Sequence, residues 1–577
     1  MADKKVSQET DLGLAGIDGT VEYRVIKSGG TYRQKYSDLF SYINSHSSIP
    51  TLQQVLDNNH DLLNGIVKIG TLAGDGSSSA VNLISIGNGA LQNSSGPAGT
   101  IGIGPQAGLS SSIGKGVIIG FQTGNGASGL NTVILGNSAG FNAIEGDSII
   151  LGYNAGYRTC GTGNTYIGEG AGNYSGYGLL APGVLHNVFI GHDAGGTAST
   201  AGNLGNYNIA IGEEALYNND NPNRSNIVAL GNQAGYSVGH SIGDALNSVY
   251  IGNQAGYNAS GGSMVALGNG ACAGSQSEYL IGLGDSAAAG STSSYTIGIG
   301  GNAASNTSGN RIIAIGQDVA TNFNKNDVIG IGVGALTSMQ NDSLGNVIAI
   351  GSFALSGINA DPADTNNYTL IGIGQSAAIN SVAINRSIII GNHAGEGCNN
   401  NGLGGSDSNN VVIGHDAYQG LSDTIGLVAV GNDILNTVSG VLYNSTVIGT
   451  GAMNSGNISG SKTSIIAIGA NAGNNSDISE SSIFIGNSAG NQSTGGDIIA
   501  IGENALVAGT ASSVVGIGLG VGDSNPVSNS FIIANRYLPE YPDHADAESN
   551  IISAGGVSGN TYLYYNSTTH AIEGVRL

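Results

Sequence analysis

From about residue 83 to residue 522 the hydrophobic and polar positions of the chain repeat one short pattern. Its clearest copies read Val133-Ile-Leu-Gly-Asn-Ser-Ala139, Val249-Tyr-Ile-Gly-Asn-Gln-Ala255 and Ile483-Phe-Ile-Gly-Asn-Ser-Ala489. Taking the central glycine as an anchor gives 25 copies, from Gly87 to Gly518, spaced most often by 16 residues and at most by 23. Position −1, just before the anchor, is Ile, Leu or Val in all 25 copies; position −3 is Ile or Val in 23, and position +3 is Ala in 21. A short apolar run ended by glycine predicts a β-strand, whose side chains alternate between two faces. The anchors, among them Gly136, Gly152, Gly252, Gly391 and Gly486, are then structural turns, because glycine permits a tight bend or a positive φ. A fixed short period of strand and turn predicts stacked coils in place of a globular domain. The expected fold class is all-β, a parallel β-solenoid or β-roll of about 25 coils. Twenty-four steps of ~4.8 Å would extend it over about 115 Å.

Position −2 carries the expectation about assembly. Positions −3 and −1 share one face of the strand and are expected to fill the coil's own core. Position −2 points the other way, where a lone solenoid should be polar. Instead Ile118, Ile134, Ile150, Tyr166, Phe189, Tyr250, Ile389 and Phe484 stand there, and none of the 25 copies is charged. A strand apolar on both faces is buried on both. These eight residues are therefore expected at an interface between copies of the chain, and cyclic closure allows several subunit numbers.

Composition narrows the function classes. Gly is 99 of 577 residues, far below the one-third share of collagen, and 40% apolar residues argue against disorder. The net charge of −23 speaks against nucleic acid or an anionic membrane as partner. No window has the apolar length of a membrane span, so no membrane insertion is expected. The start, Met1 to Gln8, has no signal-peptide pattern, which points to synthesis in a cytoplasm. Cys160, Cys272 and Cys398 lie too far apart in stacked coils for a disulfide and are expected as small core or turn residues.

Five windows match a dinucleotide fingerprint, Gly102–Ala107, Gly282–Ala287, Gly298–Ala303, Gly330–Ala335 and Gly372–Ala377. A period of 16 leaves no room for the helix such a site needs, so no cofactor is expected. His393 and Asp416 occupy equivalent positions in adjacent coils, as do Asn392 and His415, and are expected as a hydrogen-bonded ladder with no metal. No catalytic set is readable, and the chain is not expected to be an enzyme.

The ends do not repeat. Residues 1–66 hold Val21–Lys27 and Thr31–Lys35 as a predicted hairpin, then two short helices near Ser37–Ile43 and after Thr51, a small α+β segment that either caps the solenoid or docks it. Residues 67–82 are a linker with a first strand, and residues 523–577 end in a predicted hairpin, Thr561–Tyr565 with Ala571–Leu577, that caps the open edge or, through its tyrosines, forms a receptor-contacting tip. The longest insertions, Asn173–His186, Ala198–Asn206, Asn218–Ser225, Ile358–Asn367 and Cys398–Asn409, are surface decoration or ligand contacts.

Two resemblances add to this reading. The repeat Val/Ile-x-Ile-Gly-x-x-Ala over residues 83–520 is similar to that of trimeric bacterial adhesin heads of the YadA type, although here it is longer. It implies a left-handed β-roll and an intertwined homotrimer. The series Tyr23-Arg-Val-Ile-Lys27, Asp38-Leu-Phe-Ser-Tyr-Ile43 and Thr51-Leu-Gln-Gln-Val-Leu-Asp-Asn58 resembles the N-termini of tailed-bacteriophage fibre proteins, and Tyr562–Glu573 resembles C-terminal motifs of phage structural proteins. It implies a virion fibre, of tail, head or collar, assembled in the host cytoplasm. The implied partners are itself, other virion proteins through the N-terminus, and a host cell-surface glycan or protein. The alternatives are a bacterial surface adhesin and a glycan-cleaving tailspike.

Overall fold

The computed structural model describes residues 66–522, apart from short segments that include 176–183, 198–204, 219–224, 239–246, 339–343, 359–367 and 399–408, together with strands near both ends. The chain is a parallel β-solenoid divided into two units, Met1–Tyr157 and Arg158–Leu577. In the first unit the strands Val67–Ile69, Ile84–Ile86, Ile101–Ile103, Val117–Ile119, Val133–Leu135 and Ile149–Leu151 pair in parallel, each residue opposite its equivalent. In the second unit 21 strands, from Thr165–Ile167 to Phe531–Ile533, pair in the same way. A strand ends directly before every one of the 25 anchors.

One further coil precedes them. Val67–Ile69 ends at Gly70 and pairs in register with Ile84–Ile86, so the first strand expected in residues 67–82 is a full copy of the repeat. Lys68 at position −2 hides the copy from the pattern. Its stem folds over the turn, and Lys68 Nζ donates to the Gly74 carbonyl at 3.1 Å.

The anchor glycines behave as expected. Gly136, Gly152, Gly252, Gly391 and Gly486 have φ between +133° and +144°. A Cβ on Gly136 would stand 2.3 Å from the carbonyl oxygen of Gly152 in the next coil. No side chain fits there. The turn that follows is laddered like a strand. The Gly136 and Ser138 amides donate back to Ile119 and Phe121, both at 2.9 Å, and the Gly140 amide donates forward to Ala155 at 2.8 Å. In the first unit a second short parallel column, Ser112–Gly114, Ser128–Leu130 and Ile144–Gly146, closes the coil.

The two faces of the strand are the reverse of the expectation. Ile118, Ile134, Ile150, Tyr166, Phe189, Tyr250, Ile389 and Phe484 are 0–1% exposed within a single chain. They fill the coil's own interior and cannot be an interface with another copy. Positions −3 and −1 are the outward face, with Ile209, Ile211, Leu267, Ile388 and Ile485 each 37–39% exposed. The physical reason lies at position +4. Each of the eight large side chains has glycine at +4 of its own coil: Gly124, Gly140, Gly156, Gly172, Gly195, Gly256, Gly395 and Gly490. A Cβ on Gly256 would lie 2.2 Å from the Tyr250 ring, and one on Gly195 would lie 2.4 Å from Phe189. Where +4 is leucine, as at Leu91, Leu216, Leu336, Leu355, Leu435 and Leu506, position −2 is Ser85, Ala210, Gly330, Ala349, Ala429 or Ala500. In these fourteen coils one large side chain fills the interior and stands at −2 or at +4, an exchange of volume between two positions. The alanine column at +3 is fully buried, as expected of a small residue inside a narrow coil.

At the ends, Glu22–Lys27 pairs antiparallel with Gly30–Lys35, and Thr561–Asn566 with Ala571–Arg576, the two hairpins read from the sequence. The short helices expected after residue 37 lie outside the described residues.

The packing rule has a direct test in thermal unfolding. Gly256→Leu should lower stability by about 1–3 kcal/mol through overpacking, and Tyr250→Ala by about 3–5 kcal/mol through a cavity. The double variant recreates the Ala210/Leu216 arrangement and should melt above both single variants, a coupling of about 2 kcal/mol. Additive losses would refute the exchange of volume.

Candidate functional site: outward columns of the coil

Because the coils stack in register, each surface position becomes a column. Positions −3 and −1 form two adjacent apolar columns on the outer face of the long sheet. Positions +1 and +2, just past the anchor, form two largely polar columns on the turn, interrupted by Phe121, Val333, Phe353 and Leu519. The residue at +2 takes a left-handed backbone, with φ of 52°, 53° and 54° at Glu214, Gln233 and Gln254. Successive side chains therefore leave the turn in the same direction and meet.

In these meetings a side-chain amide donates to the amide or carboxylate of the neighbouring coil. Asn253 Nδ2 donates to Asn232 Oδ1 at 3.2 Å, and Asn232 Nδ2 donates to Glu213 Oε2 at 3.1 Å. One position along, Gln254 Nε2 donates to Gln233 Oε1 at 2.8 Å, and Gln233 Nε2 to Glu214 Oε2 at 2.7 Å. An amide both donates and accepts, so a column of amides satisfies itself without charge. A parallel ladder of rings runs at +5, where Tyr217, Tyr236 and Tyr257 lie 5.6 and 5.0 Å apart, within the range of favourable stacking.

Two stretches of the polar columns are acidic instead. In the first, Glu169, Asp193, Glu213 and Glu214 come from three consecutive coils. Burial pushes the Asp193 carboxyl above the usual aspartate range, and the neighbouring glutamates add to it while His192 opposes it. In the second, His393, Asp416 and Asp433 share the +2 column, with φ of 54°, 47° and 50°. His393 and Asp416 do occupy the same column, but the His393 imidazole turns to Glu396 at 2.7 Å. The sequence pointed to this column without its third member, Asp433, one coil further on.

The five fingerprint-like windows are explained by the core. Gly102, Gly282, Gly298, Gly330 and Gly372 are position −2 of their coils, inside strands. A Cβ on Gly102 would lie 2.5 Å from Leu91 Cγ, and one on Gly372 2.6 Å from Leu355 Cδ2. Gly102 and Gly372 make room for a leucine of the preceding coil, Gly282 for Cys272 Sγ, and Gly330 for Val319 and for Leu336 of its own coil.

A buried polar column was not foreseen. At position −4, Asn164, Asn187 and Asn208 are 0–1% exposed, and each Oδ1 accepts from the backbone amide one coil on, at 2.9, 2.7 and 3.0 Å. Recurrent Asn at that position was its available signal. Cys272 and Cys398 are buried core residues, as expected, and burial pushes the Cys272 thiol up to about 12. Cys160 is half-buried. The long insertions, expected as surface decoration or ligand contacts, fall largely outside the described residues. No helix among the described residues is long and apolar enough to cross a membrane.

The chain matches no family model, no curated protein and no solved structure. Its function is therefore read from the columns themselves.

Asp193 gives a pH prediction with a definite sign. A carboxyl whose folded value is raised contributes stability below the ordinary aspartate range and loses it as pH rises through the raised value. Asp193→Asn cannot ionise. It should melt higher than the parent at pH 7, with the advantage shrinking as pH falls and vanishing below the usual aspartate range. A difference independent of pH would assign the effect to the left-handed backbone alone.

Proposed function

We propose that the protein is a structural fibre of a tailed-phage virion, built as a homotrimer. Residues 1–66 dock on other virion proteins, and the coils, insertions and tip meet a glycan or protein of the host cell surface. The observation that supports assembly from several copies is the pair of outward apolar columns at −3 and −1.

In the unit Arg158–Leu577 these columns cross 21 paired strands. At ~4.8 Å per step and ~7 Å between alternate residues, the stripe covers on the order of 700 Å². A stable interface uses about 800 Å² per partner, and a lone soluble chain rarely leaves so long an apolar patch in water. A second copy of the chain is the favoured occupant. It brings a stripe of the same pitch, and the stripe is free of charge, whereas the rest of a surface at −23 repels its like. Three copies about one axis follow from the resemblance to the adhesin heads. Placement in a virion follows from the resemblance of the terminal motifs. The mechanism is mechanical display, in which several copies per fibre and several fibres per particle multiply weak contacts into avidity.

Sedimentation tests the assembly. The protein should run at three times its chain mass of 57.4 kDa. A variant carrying Ile211→Asp, Leu267→Asp and Ile485→Asp should run as a monomer with an unchanged circular dichroism spectrum, because those side chains lie outside the coil. A monomeric parent protein would sink the reading. Antibody labelling of purified particles in the electron microscope tests the location. Label on projecting filaments is expected, and absence of both label and peptide from the particles refutes a virion role.

A further inference from the structure

We propose that His415, Asp416 and Asp433 form a binding site for a divalent transition-metal ion of the zinc type. One ligand atom from each of the three residues can be chosen so that all lie within 4.8 Å of one another. His415 Nδ1 already stands 2.9 Å from Asp416 Oδ2. An ion bound at about 2.0–2.2 Å to nitrogen and carboxylate oxygen would sit between these atoms, with the close His415–Asp416 pair opening to admit it.

The solenoid builds the convergence. His415 and Asp416 follow the anchor Gly414, and Asp433 stands at the position equivalent to Asp416 after the next anchor, Gly431. The two coils are tied there by the Asp433 amide, which donates to the His415 carbonyl at 3.0 Å. Both aspartates have left-handed backbones, so both carboxylates leave the turn on the same side. Each is held by a neighbouring amide. Gln419 Nε2 donates to Asp416 Oδ1 at 2.9 Å, and Asn432 Nδ2 donates to Asp433 Oδ2. One oxygen of each carboxylate is thereby oriented, an outer shell of the kind that tunes metal sites, and Asp416 Oδ2 would exchange its contact with His415 Nδ1 for the ion. His393 is kept out of the set by its own bond to Glu396.

Charge gives an independent reason. From residue 387 to residue 461 the chain has no lysine or arginine, while Glu396, Asp407, Asp416, Asp423 and Asp433 are acidic. No basic side chain in this stretch of sequence neutralises the two aspartates. The imidazole selects among cations. Calcium and magnesium take oxygen ligands, whereas one nitrogen with two carboxylates suits zinc, cobalt or nickel and leaves a position for water. Because the ligands come from two coils, the ion ties those coils together, and binding stabilises the folded chain by mass action. This inference does not depend on the number of subunits or on a virion role.

The test uses the full chain, stripped of metal with a chelator and titrated with Zn²⁺ in a calorimeter. Co²⁺ serves as the spectroscopic probe. One site per chain is expected. His415→Gln and Asp433→Asn should weaken it at least tenfold, and Asn432→Ala by about tenfold through loss of the orienting bond. Bound Co²⁺ should give a visible absorption band in the parent that both ligand variants lack. Saturating Zn²⁺ should raise the melting temperature of the parent and leave that of the ligand variants unmoved. Circular dichroism confirms that all variants keep the fold. Zn²⁺ bound equally by parent and ligand variants, no Zn²⁺ bound by the parent, or Ca²⁺ bound in preference would each overturn the site.

Discussion

The fold depends on one steric constraint, the contact between each anchor glycine and the next. The carbonyl of one anchor occupies the space where a Cβ of the preceding anchor would be, at 2.4 Å for the pair Gly252 and Gly268 and 2.4 Å for Gly486 and Gly502. Only glycine allows coils to approach this closely, and the φ near +135° there is closed to other residues. Close approach lets the backbone amides of strand and turn alike bond from coil to coil. The register cannot drift, because insertions of up to seven residues beyond the 16-residue period leave the strand and anchor aligned on both sides. Length variation is absorbed elsewhere in the coil.

Fixed register turns sequence into columns, and this decides what could be read in advance. Strand positions, turn glycines, the buried alanine at +3 and the terminal hairpins were legible, because each leaves a mark at a single position. Which strand face is buried was not legible from alternation. All three residues of Ile149–Leu151 are apolar, so period two gives no sign. The deciding signal was present but lay between two positions six residues apart. Tyr250 with Gly256 and Ala210 with Leu216 are opposite solutions to one volume, and neither member shows it alone. Lys68 obscured the first coil for a related reason, since its stem packs over glycine while its charge misleads a count of apolar residues.

The corrected faces change the basis for association and keep its direction. A large aromatic at −2 says nothing about a partner once it is seen inside the coil. The outward Ile, Leu and Val at −3 and −1 are better suited to meet another chain. Branched side chains on a pleated surface pack well against their like. Their monotony also makes them self-complementary at every step, so a neighbouring copy needs no special contact residue. Specificity of register between copies must then come from positions where the columns are interrupted, such as Thr165 and Thr446 at −3.

The polar columns obey a stricter logic than the apolar ones. Stacking puts like beside like at the strand spacing of about 4.8 Å, so a column of carboxylates repels itself while a column of amides bonds to itself. Neighbouring Asn or Gln are the low-energy solution, as in Asn232 with Asn253 and Gln233 with Gln254. Each acid in such a column carries a cost unless something offsets it. Asp193 shows the cost directly, as a carboxyl held above its ordinary range beside Glu214 and Glu169. At His415, Asp416 and Asp433 the same stacking brings two carboxylates and an imidazole together, with amides from Gln419 and Asn432 bonded to the carboxylates. A cation is the simplest group that would turn that repulsion into attraction.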